Sequence, residues 1–203
     1  LNSYHRPKFY ERQSADYEKK YKKYKNKSLP KITAVNGEIH LFPSEARVKF
    51  SGTYKMKNKT ESAIDTIHSN FSPNFPYSQY DWSINNELVF SDSIYGWQMH
   101  VFNPPIMPGE EFLLEFKGDR KRKGFNNGGV DMTVIENGTL IFSSQILPTF
   151  GYNPDRELRQ KRTRKKYGLK EKKDSMPAYD DSEGLKNSIL GDDADWVDYE
   201  MLM

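Results

Sequence analysis

Residues 97–118, WQMHVFNPPIMPGEEFLLEFKG, decide how this chain is read. Met99 and Val101 alternate with polar neighbours before Pro108-Gly109, and Phe112, Leu114 and Phe116 alternate with Leu113, Glu115 and Lys117 after it. Period-two alternation marks strands with one covered and one open face, and Pro-Gly marks a tight turn. The stretch reads as an antiparallel hairpin. A lone hairpin is unstable in water, so further strands must share its sheet.

The chain supplies them on both sides. Residues 47–57 alternate most regularly: Val48, Phe50, Gly52, Tyr54 and Met56 point one way, Arg47, Lys49, Ser51, Thr53, Lys55 and Lys57 the other. Residues 32–42 place Val35, Gly37, Ile39 and Leu41 on one face, and a third strand spans 64–71. Residues 72–80, with two prolines, read as a loop, and 82–91 as a weaker strand pair turning at Asn85-Asn86. Asn137-Gly138 between apolar runs predicts a hairpin over 130–142, since both residues tolerate the positive φ of a type I′ turn. The fold class is mostly β, an antiparallel β-sandwich with a helix at the N-terminal end and one near the C-terminal end.

The N-terminal helix is expected over 7–25, with Tyr10, Tyr17, Tyr21 and Tyr24 along one side and Pro30 beyond its end. The second starts at Asn153 as N-cap with Pro154 in the first turn, runs to about Tyr167 and stops at Gly168. Residues 170–195 have little periodicity and read as a surface-hugging loop, and Trp196, Val197 and Tyr199 begin another strand. Three segments follow: a helical lead over 1–29, a sandwich over 30–150, and a helix with an acidic loop over 151–203. The chain opens at Leu1 and stops at Met203 just after a strand-like start, and reads as part of a longer polypeptide.

Composition narrows the function classes. The absence of cysteine excludes a disulfide framework, a thiolate zinc site and a thiol nucleophile. No apolar run approaches the roughly 20 residues that span a bilayer. The net charge of +3 is unevenly spread: residues 1–27 carry nine Lys/Arg against three acids, 153–173 ten against three, and 174–203 one Lys against nine acids. Blocks of opposite sign either neutralise each other or face separate partners. The Lys- and Tyr-rich first helix also has the composition of a segment that lies near an anionic membrane surface.

No residue pattern makes a convincing active site. His5, His40, His68 and His100 are never paired four apart, and no H-E-x-x-H occurs. The acidic clusters at 180–183 and 192–195 fail the EF-hand template. The glycine-rich loop 124–129 lacks the Lys-Ser/Thr of a phosphate cradle. Asn58, Asn70 and Asn137 begin Asn-x-Ser/Thr triplets. The basic stretch 156–166 offers charge without groove-reading residues, so no nucleic-acid partner is expected. The residues point to a sandwich that binds or supports something. One form of it is a free-standing extracytoplasmic adhesion or glycan-binding module using Phe75, Tyr77 and Tyr80.

The order of these segments resembles the N-terminal domain of aminopeptidase N-like zinc metallopeptidases, peptidase family M-one, over about residues 32–196. The carrying stretches are KITAVNGEIHLFPSEARVKFSGTYKMKNKT, IDTIHSNF, FNPPIMPGEEFLLEFKG and ENGTLIFSSQILPTFGYN. With RELRQKRTRKKYGL and DADWVDYE they resemble a bacterial branch in which the peptidase-like region follows membrane-spanning segments of an ABC-type permease. The resemblance implies a saddle-like β-sandwich that docks a zinc catalytic domain of the same polypeptide and walls its peptide-substrate cleft. It implies an extracytoplasmic place in the cell envelope, permease segments upstream, and no cofactor or metal in this chain. Zinc belongs to the catalytic domain downstream, so this chain is not an enzyme by itself. Ser144-Gln145 resembles the family's Ser-Gln, which makes Gln145 the one candidate substrate-cleft residue. LPTFGY follows where the family usually has a Pro-Cys-Asp-Glu-Pro-like stretch.

Overall fold

The computed structural model describes residues 7–72, 75–122, 133–172 and 196–203. His5, the loop at 124–129 and the acidic clusters at 180–183 and 192–195 lie outside these residues. The chain forms two compact units. The described residues of the first are 24–72, 75–122, 133–152 and 197–203, and those of the second are 7–23, 153–172 and 196.

The first unit is a β-sandwich. In chain order its strands are β1 (Lys31–Phe42), β2 (Arg47–Lys57), β3 (Ile64–Asn70), β4 (Tyr77–Trp82), β5 (Asn86–Asp92), β6 (Trp97–Ile106), β7 (Glu111–Lys121), the short β8 (Val134–Ile135) and β9 (Gly138–Thr139), then β10 (Thr149–Phe150) and β11 (Asp198–Leu202). One sheet has the order β11-β1-β2-β7-β4 and the other β10-β3-β6-β5, with β8 and β9 paired apart. Pairing is antiparallel except for β11, which runs parallel to β1. The inward set on β2 is the expected one: Val48, Phe50, Tyr54 and Met56 are buried against Leu114, Phe116, Ile67 and Phe102.

Residues 97–118 are not a hairpin. β6 pairs with β3 and β5 while β7 pairs with β2 and β4, so Pro108-Gly109 carries the chain from one sheet to the other. Pro104 and Pro105 contribute no N–H at the end of β6, where a hairpin partner would need one. The turn's backbone is instead bound by Asn58: Gly109 N–H donates to Asn58 O (2.7 Å) and Asn58 N–H donates to Glu110 O (3.0 Å). Asn58 sits on the other crossover, from β2 to β3, and is fully buried. Its side-chain amide donates to Ser62 O and Ile106 O at 2.9 Å each, and its Oδ1 accepts from Thr60 N–H and Oγ1.

Residues 77–82 lie in a strand rather than a loop, and β4 and β5 belong to different sheets rather than forming a pair. The small hairpin turns one residue early: Ile135 stands opposite Gly138, leaving Glu136-Asn137 as the loop. Neither Asn137 nor Gly138 adopts a positive φ, so the type I′ expectation fails.

The β2–β7 register is locked by reciprocal aromatic–glycine pairs. Phe50 lies opposite Gly118, and Phe116 opposite Gly52. A Cβ on Gly52 would stand 2.6 Å from Phe116 Cζ, and one on Gly118 would collide with the Phe50 ring. Each ring lies over the space its partner glycine leaves.

In the second unit α1 (Pro7–Tyr21) is followed by a 3-10 turn, and Tyr17 and Tyr21 are buried while Tyr10 is exposed. The expected helix from Asn153 is broken. Asn153 caps a 3-10 turn (Pro154–Arg156), the chain then extends, and a short helix occupies Lys161–Lys166 before Gly168 ends it at φ +68°. The break is organised around Arg164, which is buried and forks onto Glu18 with two 2.8 Å bonds. It also donates to the carbonyls of Leu158 (2.7 Å) and Lys170 (2.7 Å). Burial pushes the Glu18 carboxyl up, but bonds from Arg164 and Lys22 hold it below its ordinary value.

Replacing Asn58 by alanine is expected to lower the unfolding free energy in urea by about 3 kcal/mol, because several buried backbone groups lose partners at once. A loss under about 1 kcal/mol would show that the crossovers hold without it. Arg164→Leu is expected to cost roughly 3–5 kcal/mol by stranding Glu18, and adding Glu18→Leu to recover part of that loss. Thermal melts followed by helical circular dichroism read both variants.

Candidate docking face and cleft-side residue

Gln145 is the third residue of the one-turn helix α2 (Ser143–Ile146). Its Oε1 accepts from Phe142 N–H (2.9 Å), which ties the side chain to the start of its own turn. The turn is anchored from the five-stranded sheet by two tyrosines, Tyr54, which the sequence places among the inward residues of 47–57, and Tyr77, which it places in a loop as a glycan contact. Tyr77 Oη donates to Ile146 O and Tyr54 Oη to Pro148 O, both at 3.1 Å. Burial raises the pKa of both phenols, so they remain donors. Gln145 is half-buried, and Leu140 and Phe142 just before it are exposed. The structure brings no acid, base or nucleophile to Gln145 through any described bond, so it offers an amide for recognition.

The histidines do not assemble. His40 is exposed on β1, 3.0 Å from Glu38. His68 is buried under Tyr24 and Trp97, with ring centroids at 4.3 and 5.2 Å. His100 is buried, with Nδ1 3.0 Å from Asn86 Oδ1, and its ring lies against Tyr80 and Trp82. Burial lowers the pKa of His68 and His100 to about 4. Among the described residues no group of three His, Asp or Glu could hold a metal ion.

Other candidates change character in the fold. Phe75 is fully buried, and Tyr77 and Tyr80 pack on the core, so none of the three can serve as a glycan contact on an open loop. Asn58 is buried and the Asn70 amide donates to Gly151 O at 2.6 Å, which leaves Asn137 as the exposed member of the Asn-x-Ser/Thr set.

The two outer faces differ. That of the five-stranded sheet carries ion pairs: Arg47 with Asp119, Lys121 with Glu45, and Lys55 and Lys57 with Glu111. A shallow depression of about 340 Å³ on it is lined by Asn36, Glu38, Ser51, Thr53, Glu115 and Lys117, with glycine backbone beneath. The four-stranded sheet presents Phe90 opposite Met99 and Val101 opposite Glu87. Met99 and Val101 stand outside the core cluster and are half-buried. Beside them the edge strand β5 exposes Leu88, Val89 and Phe90, each more than 40%, and Asp92 Oδ1 caps the turn that presents Ile94. Contiguous exposed apolar residues on a sheet face and edge mark an interaction surface.

No protein-family model and no curated protein matches the chain. Among solved structures it is similar to an M1 zinc metallopeptidase from Deinococcus radiodurans at 14% identity and a TM-score of 0.35, over 46% of this chain and 21% of that one. It is similar to a two-domain M1 zinc metallopeptidase mutant bound to L-tryptophan at 14% and 0.36, over 53% and 24%. The chain thus spans less than a quarter of either protein. Likeness at this level carries no functional conclusion. No described helix is long and apolar enough to cross a membrane.

The buried histidines set a pH dependence. Both are neutral when folded and gain protons near 6.5 when unfolded, so the unfolded state binds more protons between about pH 6.5 and 4. Stability is complete above 6.5 and falls as the pH drops through that window. Urea titrations at pH 7.5 and 4.5 are expected to differ by about 2 kcal/mol per histidine. His68→Phe with His100→Phe should flatten the difference, and an unchanged pH slope would assign it to carboxylates.

Proposed function

We propose that this chain is a non-catalytic N-terminal β-sandwich domain of a membrane-linked aminopeptidase-like protein, fused downstream of ABC-type permease segments on the extracytoplasmic side of the cell envelope. Its work is to dock a zinc catalytic domain of the same polypeptide and to form one wall of the peptide-substrate cleft. The observation that carries this reading is the outward apolar face made by Phe90, Met99 and Val101 with the β5 edge, set against the ion-paired outer face of the other sheet. A domain whose open face is apolar on one sheet only is built to be covered on that side. Gln145 supports the cleft role: two tyrosine bonds hold its turn in place, and an amide there suits hydrogen bonding to a peptide's polar end. Zinc chemistry and peptide hydrolysis belong to the catalytic domain.

The test joins the coding sequence to association. The frame downstream is expected to encode H-E-x-x-H with a later Glu, and the region it encodes, expressed separately, to co-purify with this chain. Phe90→Asp with Met99→Asp is expected to weaken that association at least tenfold while the melting temperature stays within a few degrees. In the joined protein Gln145→Ala should raise KM for peptides more than it lowers kcat. Absence of the zinc motif downstream, or association untouched by the double variant, overturns the reading.

A further inference from the structure

The small hairpin of β8 and β9 carries chemistry that the docking reading does not use. The chain has three Asn-Gly steps, at 36–37, 127–128 and 137–138, of which the first and the third lie among the described residues. An Asn side-chain amide followed by glycine is open to attack by the glycine's backbone nitrogen, because no Cβ on the second residue hinders the approach and its backbone turns freely. Whether the attack takes place depends on how firmly the step is held, and the fold treats the two steps oppositely.

Asn36-Gly37 lies in the middle of β1, laddered to β2 on one side and to β11 on the other. Gly37 is covered: a Cβ there would stand 2.7 Å from Met201 Cε. The Asn36 side chain is itself exposed, so exposure alone does not separate the two steps. Asn137-Gly138 lies at the tip of a ladder of two pairs, Val134 with Thr139 and Ile135 with Gly138, which joins neither sheet. One further backbone bond, from Leu140 N–H to Thr133 O at 3.0 Å, follows it. Glu136, Asn137 and Gly138 are exposed, and a Cβ placed on Gly138 would meet nothing within 4 Å. A two-stranded ladder this short is marginal in water and opens locally, whereas β1 opens only with its sheet.

We propose that Asn137 is a site of spontaneous deamidation. When the Ile135–Gly138 pair opens, the Gly138 nitrogen gives its proton to solvent base and attacks Asn137 Cγ. The N–Cγ bond forms, the Cγ–Nδ2 bond breaks, and the amide nitrogen leaves as ammonia, giving a five-membered cyclic imide. Water then opens the ring. Cleavage of the N–Cγ bond gives aspartate, and cleavage at the main-chain carbonyl of residue 137 gives isoaspartate, whose main chain runs through Cβ. Nothing is oxidised or reduced, and either product adds a negative charge beside Glu136. Isoaspartate also lengthens a two-residue loop by one backbone atom, so the Ile135–Gly138 pair no longer closes as before. The site shares no residue with the docking face or the Gln145 turn, so it stands or falls separately from the proposed function.

The full chain is held at mildly alkaline pH, folded and in parallel unfolded in urea, and digested at intervals. Mass spectrometry of the peptides carrying each step reads the exchange of the amide for a carboxyl group, and electron-transfer fragmentation separates aspartate from isoaspartate. In the folded chain Asn137 is expected to convert at least about tenfold faster than Asn36, and in urea the two to agree within about threefold, because unfolding removes the ladders that protect Asn36. Gly138→Val fits the open space and a strand position, and its stiff branched side chain should slow Asn137 at least about tenfold while leaving Asn36 unchanged. Conversion should quicken as the pH rises, since the attacking nitrogen must lose its proton. Equal rates at the two steps in the folded chain, or no conversion at Asn137 by the time the unfolded chain has converted fully, overturns the proposal. So does a Gly138→Val chain that converts as fast as the parent, or an Asn36 that stays slow in urea.

Discussion

The sandwich depends on Asn58. Two chain crossovers, from β2 to β3 and from β6 to β7, pass between the sheets at the same end, and this buried side chain joins them. Crossovers are costly places in a sandwich, because the backbone leaves its ladder and its polar groups lose their strand partners where water is excluded. Asn58 answers that demand with its own backbone N–H and carbonyl and with both ends of its amide. With that end closed, β2 and β7 can pair in the middle of one sheet and β3 and β6 in the middle of the other. The reciprocal Phe50–Gly118 and Phe116–Gly52 pairs then hold β2 and β7 in one register, since a slip of two residues would drive a ring into a side chain rather than over a glycine.

From that frame the functional surfaces follow. Tyr54 and Tyr77 use their rings for the core and their hydroxyls to hold the turn that carries Gln145, so Gln145 is positioned by the sandwich interior. One sheet turns a lattice of ion pairs to solvent and the other an apolar face with an open edge. The first arrangement is stable in water; the second is stabilised by being covered. In the second unit a single arginine replaces helix continuity, taking the carbonyls that a broken helix leaves free and neutralising a buried glutamate.

Much of this was legible locally. The spans of β1, β2 and β3, the inward set on β2, the N-terminal helix, the Asn153 cap and the Gly168 stop are all written in periods, caps and breakers. The break in the second helix was not, because Arg164 reads as one more cation in RELRQKRTRKK until its partner 146 residues away in the chain is known. Phe75, Tyr77 and Tyr80 read as an exposed aromatic loop because two prolines precede β4, Phe75 lies outside it, and the register shift between Tyr77 and Gln79 breaks its alternation. Gln145 was reached through a resemblance; of its anchoring tyrosines, Tyr54 carried no signal beyond an inward-facing position, and Tyr77 was assigned to the loop.

Sequence alone determined that residues 97–118 contain two half-buried strands around a turn, since alternation is a property of each strand by itself. Only the tertiary structure decided that these strands never pair. Period-two patterning states that one face is covered and is silent on which strand lies alongside. That choice was made by distant groups: prolines that remove donors at the end of β6, and an asparagine some fifty residues earlier that takes the turn's backbone bonds for itself.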